Sequence, residues 1–181
     1  MGKIPYILLS RMLGWSRYQE TLIIACYTKE GVEMKAFIEE ALHESLNQLI
    51  RSDAEILIND INERTISHRL ATYLEPYFSG WNVDCEYNRN HDDPKRLDIQ
   101  RRNIESDDTQ ATTVFPDIII HRRRTDQNLV VIEMKKTTSQ EQDNYDIRKL
   151  NAFKSQLGYH FAIFIKVQTD GRAGIETITW V

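Results

Sequence analysis

Apolar residues recur at helical spacing over residues 32–51, where Phe37, Ile38, Ala41, Leu42, Leu49 and Ile50 share one stripe. Ser52-Asp53-Ala54-Glu55 follows in the form of a capping box, with Glu55 three residues after Ser52. It predicts a second helix running to about Phe78 through Ile58, Ile61, Ile66, Leu70, Tyr73 and Tyr77, closed by Pro76 and Gly80. From Trp81 to Arg89 the period drops to two, because Val83, Cys85 and Tyr87 alternate with Asp84, Glu86 and Asn88, and this predicts a strand. Residues 90–112 are polar and aperiodic, a long loop or an excursion between strands. Two apolar runs without alternation come next, Ile118 to Ile120 and Leu129 to Ile132, so both strands are expected to be covered on both faces.

After a polar connection over residues 137–144, Ile147, Leu150, Phe153 and Leu157 predict an amphipathic helix from Asp146 to Leu157, with Gly158 as its C-terminal cap. Tyr159 to Val167 reads as a buried strand, and the Gly171-Arg172-Ala173-Gly174 turn leads into a last strand ending at Val181. The order is helix, helix, strand, strand, strand, helix, strand, strand, an α/β (α+β) chain whose central β-sheet is flanked by helices.

At 181 residues the chain has room for one domain with a substantial core, expected over residues 31–181. Residues 1–30 read as a helical or extended N-terminal extension to which the pattern assigns no role. Arg11, Arg17 and Glu20 interrupt it too often for a membrane span, and the apolar run from Ile4 to Leu9 is too short for a signal peptide. Cys26 and Cys85 lack metal or disulfide spacing, which fits a reducing cytoplasm. His43, His91 and His160 share no ligand spacing either, so a zinc enzyme is not supported. A net charge of −4 argues against indiscriminate coating of nucleic acid, but the charge is uneven. Residues 28–63 hold nine acids against three bases, whereas residues 115–136 hold five bases against three acids. Two solvated faces of opposite sign would give the same pattern as a phosphate-attracting site.

The chemistry concentrates on the two apolar runs. Phe115-Pro116-Asp117 opens the first and Glu133-Met134-Lys135 closes the second. Residues i and i+2 share a strand face, so Glu133 and Lys135 point one way and Met134 the other. A hairpin turning at residues 125–126 sets Asp117 opposite residues 133–135, and the three polar groups converge. Charges at the ends of covered strands need partners, and a hard cation such as Mg²⁺, which takes one or two carboxylates, is one such partner. Strand-end charges satisfied by Arg122 or Lys136 are the structural alternative.

At Pro116-Asp117, fifteen intervening residues, and Glu133-Met134-Lys135, the chain resembles the PD-(D/E)XK nuclease superfamily. The resemblance implies a restriction-endonuclease-like core and a cytoplasmic, Mg²⁺-dependent nuclease acting on DNA, with Mn²⁺ as a substitute metal. It implies metal ligation by Asp117, Glu133 and the Met134 carbonyl, and activation of water by Lys135. Glu63 matches an additional acid found on the preceding helix. It stands three residues before Ile66 on the apolar stripe, and a helix restarting near Asp60 would instead make it a first-turn glutamate. Arg69, Arg123, Lys136 and Lys149 are the candidate nucleic-acid contacts, with pairing to Glu63 as the other reading of Arg69 and a solvated hairpin tip that of Arg123. Asp146 and Lys149, at the start of the later helix, are placed to border the cleft. His121 follows the first apolar run and reads as structural. A catalytically silent nucleic-acid-binding or assembly module with the same fold, and an RNA-processing nuclease, are the alternative functions. A homodimer would let two sites cut two strands, though no feature demands one. Serine-histidine triads and phosphate-binding glycine loops are absent.

Overall fold

The computed structural model describes residues 30–90, 93–94, 96–97 and 112–181. The expected N-terminal extension, up to residue 29, and most of the polar excursion lie outside them. The chain divides into two compact units, Met1–Glu44 and Ser45–Val181, and the division falls inside the first helix rather than at residue 31. That helix, α1 (Glu30–Ser52), buries Ile38, Ala41, Leu42, Leu46 and Leu49 at the spacing the sequence predicts. Among the described residues no helix is long and apolar enough to cross a membrane.

The second unit carries everything that follows. The single helix expected up to Phe78 is broken into α2 (Ala54–Ile58), α3 (Glu63–Leu74) and a 3-10 turn (Glu75–Tyr77). The break has a local cause. Asp60 takes a left-handed conformation at φ 51°, which short polar side chains tolerate. Asn62 then caps α3 by accepting a 2.9 Å hydrogen bond from the Thr65 amide. The expected capping box is not formed: Ser52 still belongs to α1, and Asp53, the N-cap of α2, makes no side-chain cap bond. Its carboxylate instead accepts from Arg69 Nε at 2.9 Å and from the Tyr73 hydroxyl at 2.5 Å.

Five strands form a mixed sheet: β1 (Asn82–Cys85), β6 (Ile118–His121), β7 (Asn128–Lys136), β8 (Phe161–Gln168) and β9 (Gly174–Trp180), in spatial order β1-β6-β7-β8-β9. Between β1 and β6 the excursion contributes two short antiparallel ladders, β2 (Arg89–Asn90) with β3 (Asp93–Pro94), and β4 (Arg96–Leu97) with β5 (Thr112–Thr113). All main-sheet pairings are antiparallel except β7 with β8. A parallel pair needs a crossover, which α4 (Asp143–Leu157) supplies. Gly158 ends α4 at φ 68°, as its sequence position predicts, while the helix begins three residues before Asp146.

The pleat assigns the strand residues to two layers. Ile119, Val131, Ala162 and Phe164 pack with Leu150 and Phe153 of α4 in one apolar cluster. On β7, residues 131, 133 and 135 therefore face α4, whereas residues 130, 132, 134 and 136 face the other layer, beside α3. Every β6 residue and all of β7 but Lys136 are buried, as two apolar runs covered on both faces require.

At the far end of β6, Asp84 ties β1 to the β6–β7 hairpin. It lies 2.9 Å from His121 Nε2, and Arg123 forks onto it with Nε at 2.8 Å and a second hydrogen bond from the guanidinium. Tyr87 stacks on the His121 ring at 4.9 Å. Burial alone would raise the Asp84 carboxyl, but the hydrogen bonds from His121 and Arg123 outweigh it and hold the group well below the usual carboxylate range. A carboxyl depressed on folding stabilises the native state above its unfolded pKa of about 3.9, and that stabilisation is lost as pH falls through the lower folded value. Denaturant melts from pH 5 down to pH 2 are expected to show a steep loss of stability that Asp84→Asn flattens. An identical acid slope in the variant would remove Asp84 as a source of it.

Candidate active site

Strand β7 outruns its neighbour. β6 pairs with it only as far as Ile118 opposite Ile132, so the β7 edge from residue 133 onward has no strand beside it on that side. Backbone donors in a buried position need acceptors. Two carboxylates supply them. Asp117 Oδ2 accepts from the Met134 amide at 2.7 Å, and Glu63 Oε1 accepts from the Lys136 amide at 2.9 Å. The residue before β6 and the first residue of α3 thus continue the ladder with side chains. Glu63 stands in the first helical turn, where the helix dipole favours an acid, and in the site as well. Lys136 secures that corner, with Nζ 3.0 Å from Asp60 Oδ1, which also accepts from Thr138 Oγ1 at 2.9 Å.

On the α4 face, Glu133 and Lys135 meet partners two turns' reach along one helix. Lys135 Nζ lies 2.6 Å from Asp146 Oδ2 and donates to the Gln142 carbonyl at 3.3 Å. Lys149 Nζ lies 2.9 Å from each Glu133 oxygen and donates to the Phe115 carbonyl at 2.8 Å. The ammonium thus sits across both oxygens of the buried carboxylate. Glu133 and Lys135 are each 3% exposed and Lys149 is 9% exposed. Charges this deep are held at a desolvation penalty that apolar residues of the same volume would not incur.

Burial dominates the electrostatics, and the balance of charge modifies it. Four carboxylates, Glu63, Asp117, Glu133 and Asp146, surround two ammonium groups, Lys135 and Lys149, so the cluster carries a formal −2. Burial raises the Asp117 carboxyl to about 6; the Met134 amide and Lys149 oppose it, while Glu63 and Asp146 add to it. Burial likewise raises Glu133 to about 8, with Asp117 and Asp146 reinforcing it against Lys149. Burial works against the Lys149 ammonium, but Glu133, Asp117 and Asp146 outweigh it and raise the group above its ordinary value. Lys149 therefore keeps its proton, and the carboxyls are the strained members.

Among the described residues no three His, Cys, Asp or Glu side chains are gathered into a metal-holding group. The ligand set implied by the resemblance requires only two carboxylates and a carbonyl, and two features suit a hard dication: the oxygen donors and the formal −2. The N–H and C=O of one strand residue point to the same edge, which sets the Met134 carbonyl on the edge that Asp117 occupies.

The other expected residues are placed as follows. Arg69 pairs with Asp53 and Tyr73 rather than with Glu63, and Arg123 is engaged by Asp84. Lys149, read from the sequence as a phosphate contact, has its ammonium on Glu133 because α4 begins early enough to lay Asp146 and Lys149 over the strand face of Glu133 and Lys135. His121 lies at the other end of β6. The sequence reading does not pair Asp146 with Lys135 or Lys149 with Glu133, though a signal exists: Asp146 and Lys149 are spaced i, i+3 on one helix face. Past the strand end, Thr137, Thr138, Thr169, Asp170 and Arg172 line a polar groove of about 310 Å³. Comparison of the chain with protein-family models, with curated proteins and with solved structures finds no match.

The side-chain continuation of the ladder is testable at Glu63. Glu63→Ala leaves the Lys136 amide without its acceptor and is expected to lower stability by about 1–2 kcal/mol, whereas Glu63→Gln retains an oxygen there and stays nearer the wild type. Urea unfolding distinguishes them, and equal losses in both variants would contradict the amide contact.

Proposed function

We propose that this chain is a metal-dependent nuclease of the PD-(D/E)XK type, hydrolysing phosphodiester bonds in DNA. The observation that carries the reading is the free edge of β7, where the buried Glu133 and Lys135 share a strand face and Asp117 accepts from the amide of Met134 between them. Buried, mutually perturbed ionisable groups at a strand end support a reaction site, because such pairs add little to stability. The run α3, β1, β6, β7, α4, β8 supports the restriction-endonuclease-like core as the frame for it.

In this reading Asp117, Glu133 and the Met134 carbonyl hold Mg²⁺. When bound, the ion lowers the pKa of water and offsets charge on a phosphate. Lys135 does the rest from the protein's side: it orients the attacking water and stabilises negative charge developing on the phosphorus oxygens. Its ammonium is pre-positioned by Asp146 and the Gln142 carbonyl, so little reorganisation is needed in the reaction. Glu63 holds the Lys136 amide and with it the register of the strand end next to Lys135. Arg172, which lines the groove, is a cation placed for a flanking phosphate, while the Lys136 ammonium is held by Asp60.

One observation favours a second reading. Both Lys135 and Lys149 already have carboxylate partners, and a silent nucleic-acid-binding or assembly module would need no more than such internal pairs. Cleavage assays decide between them. Purified protein is incubated with supercoiled, linear and single-stranded DNA and with RNA, in Mg²⁺, Mn²⁺ or chelator. Metal-dependent cleavage is expected to fall by about 10²-fold or more in Asp117→Ala and in Lys135→Ala. Equal cleavage by all three proteins would remove the site, and binding without cleavage would establish the silent module.

A further inference from the structure

The Lys149 ammonium occupies an unusual position. It is 9% exposed, sits 2.9 Å from both oxygens of Glu133, and takes the Phe115 carbonyl at 2.8 Å as a further acceptor. Among the described residues Lys149 is the cation that reaches Glu133. An ammonium and a dication cannot both rest against one carboxylate at such distances without strong mutual repulsion, since like charges within about 4–6 Å shift each other's equilibria by one to three powers of ten.

We propose that Lys149 is the resident counter-ion of Glu133, which a divalent cation must displace in order to bind, so that Lys149 sets the metal affinity of the site. This rests on the nuclease reading and adds a positioning residue to it. Lys149 is fixed by α4, at the helical position three residues after Asp146, and the same helix holds Lys135 through that acid. The arrangement keeps a buried carboxylate paired while the metal is absent, which a site assembled from acids alone would not do. It also links the metal to the approach of substrate. Lys149 holds the carbonyl of Phe115, which is 51% exposed beside Asp117, so displacing the ammonium releases the main chain at the mouth of the site.

The test is direct Mn²⁺ binding by the full chain, read from the free-ion signal in electron paramagnetic resonance. Lys149→Gln and Lys149→Met are each expected to bind Mn²⁺ about tenfold more tightly than the wild type, and Lys149→Arg, which keeps the charge, to bind as the wild type does. A lysine that merely props up the fold gives the opposite sign, because loosening the ligands weakens binding. Binding by the wild type that is unchanged or weaker in both neutral variants overturns the inference and leaves the nuclease reading standing. Failure of the wild type and both variants to bind Mn²⁺ at all overturns the two together. If neither neutral variant folds, the wild type alone carries the test through nitrogen NMR of its lysine ammonium groups in Mg²⁺: the protected Lys149 signal is expected to be lost on saturation, and its persistence overturns the inference.

Discussion

A strand that outlasts its neighbour must find acceptors for the amides it leaves bare, and here that requirement organises the molecule. β7 continues past Ile132 while β6 does not accompany it, and the Met134 and Lys136 amides are met by Asp117 and Glu63. One constraint thereby fixes three things: the start of β6, the docking of the first turn of α3 and the position of two carboxylates beside each other's field. The break between α2 and α3 belongs to the same arrangement. Asp60 turns the chain at a positive φ and Asn62 restarts it, delivering Glu63 to the strand edge with the helix dipole behind it.

The opposite face of β7 shows why such a site is tolerated. Glu133 and Lys135 could only be buried if something answered their charges, and α4 brings Lys149 and Asp146 to them across the layer that Leu150 and Phe153 fill with apolar contact. The apolar packing holds the helix in register, and the register sets the ion pairs. The pairs do not close the account of charge. Two carboxylates remain in excess, and burial first, with the neighbouring carboxylates adding to it, raises the Asp117 and Glu133 groups.

Much of this was legible before any coordinates. The unalternating runs around Ile119 and Val131 announced strands covered on both faces, and the i, i+2 relation put Glu133 and Lys135 on one face. Gly158 gave the end of α4 through its left-handed backbone. What the pattern could not show follows from interactions distant in sequence. Nothing local to Asp53 says that its carboxylate will serve Arg69 and Tyr73 instead of a capping box, and nothing local to Arg69 turns it from Glu63. Glu63 is the first-turn glutamate of one reading, and its carboxylate also reaches the end of β7 through the Lys136 amide. Lys149 lies within the helix expected from Asp146, but its burial against Glu133 depends on the packing of α4 on β7, a contact distant in sequence.

The central claim is that the free edge of β7 holds a divalent cation between Asp117, Glu133 and the Met134 carbonyl. Anomalous scattering from crystals equilibrated with Mn²⁺ tests it most directly. The account predicts a metal peak about 2.0–2.2 Å from an oxygen of each of those three residues, with Lys149 withdrawn from Glu133. Saturating Mn²⁺ that leaves no peak there and the Glu133–Lys149 pair intact would contradict it.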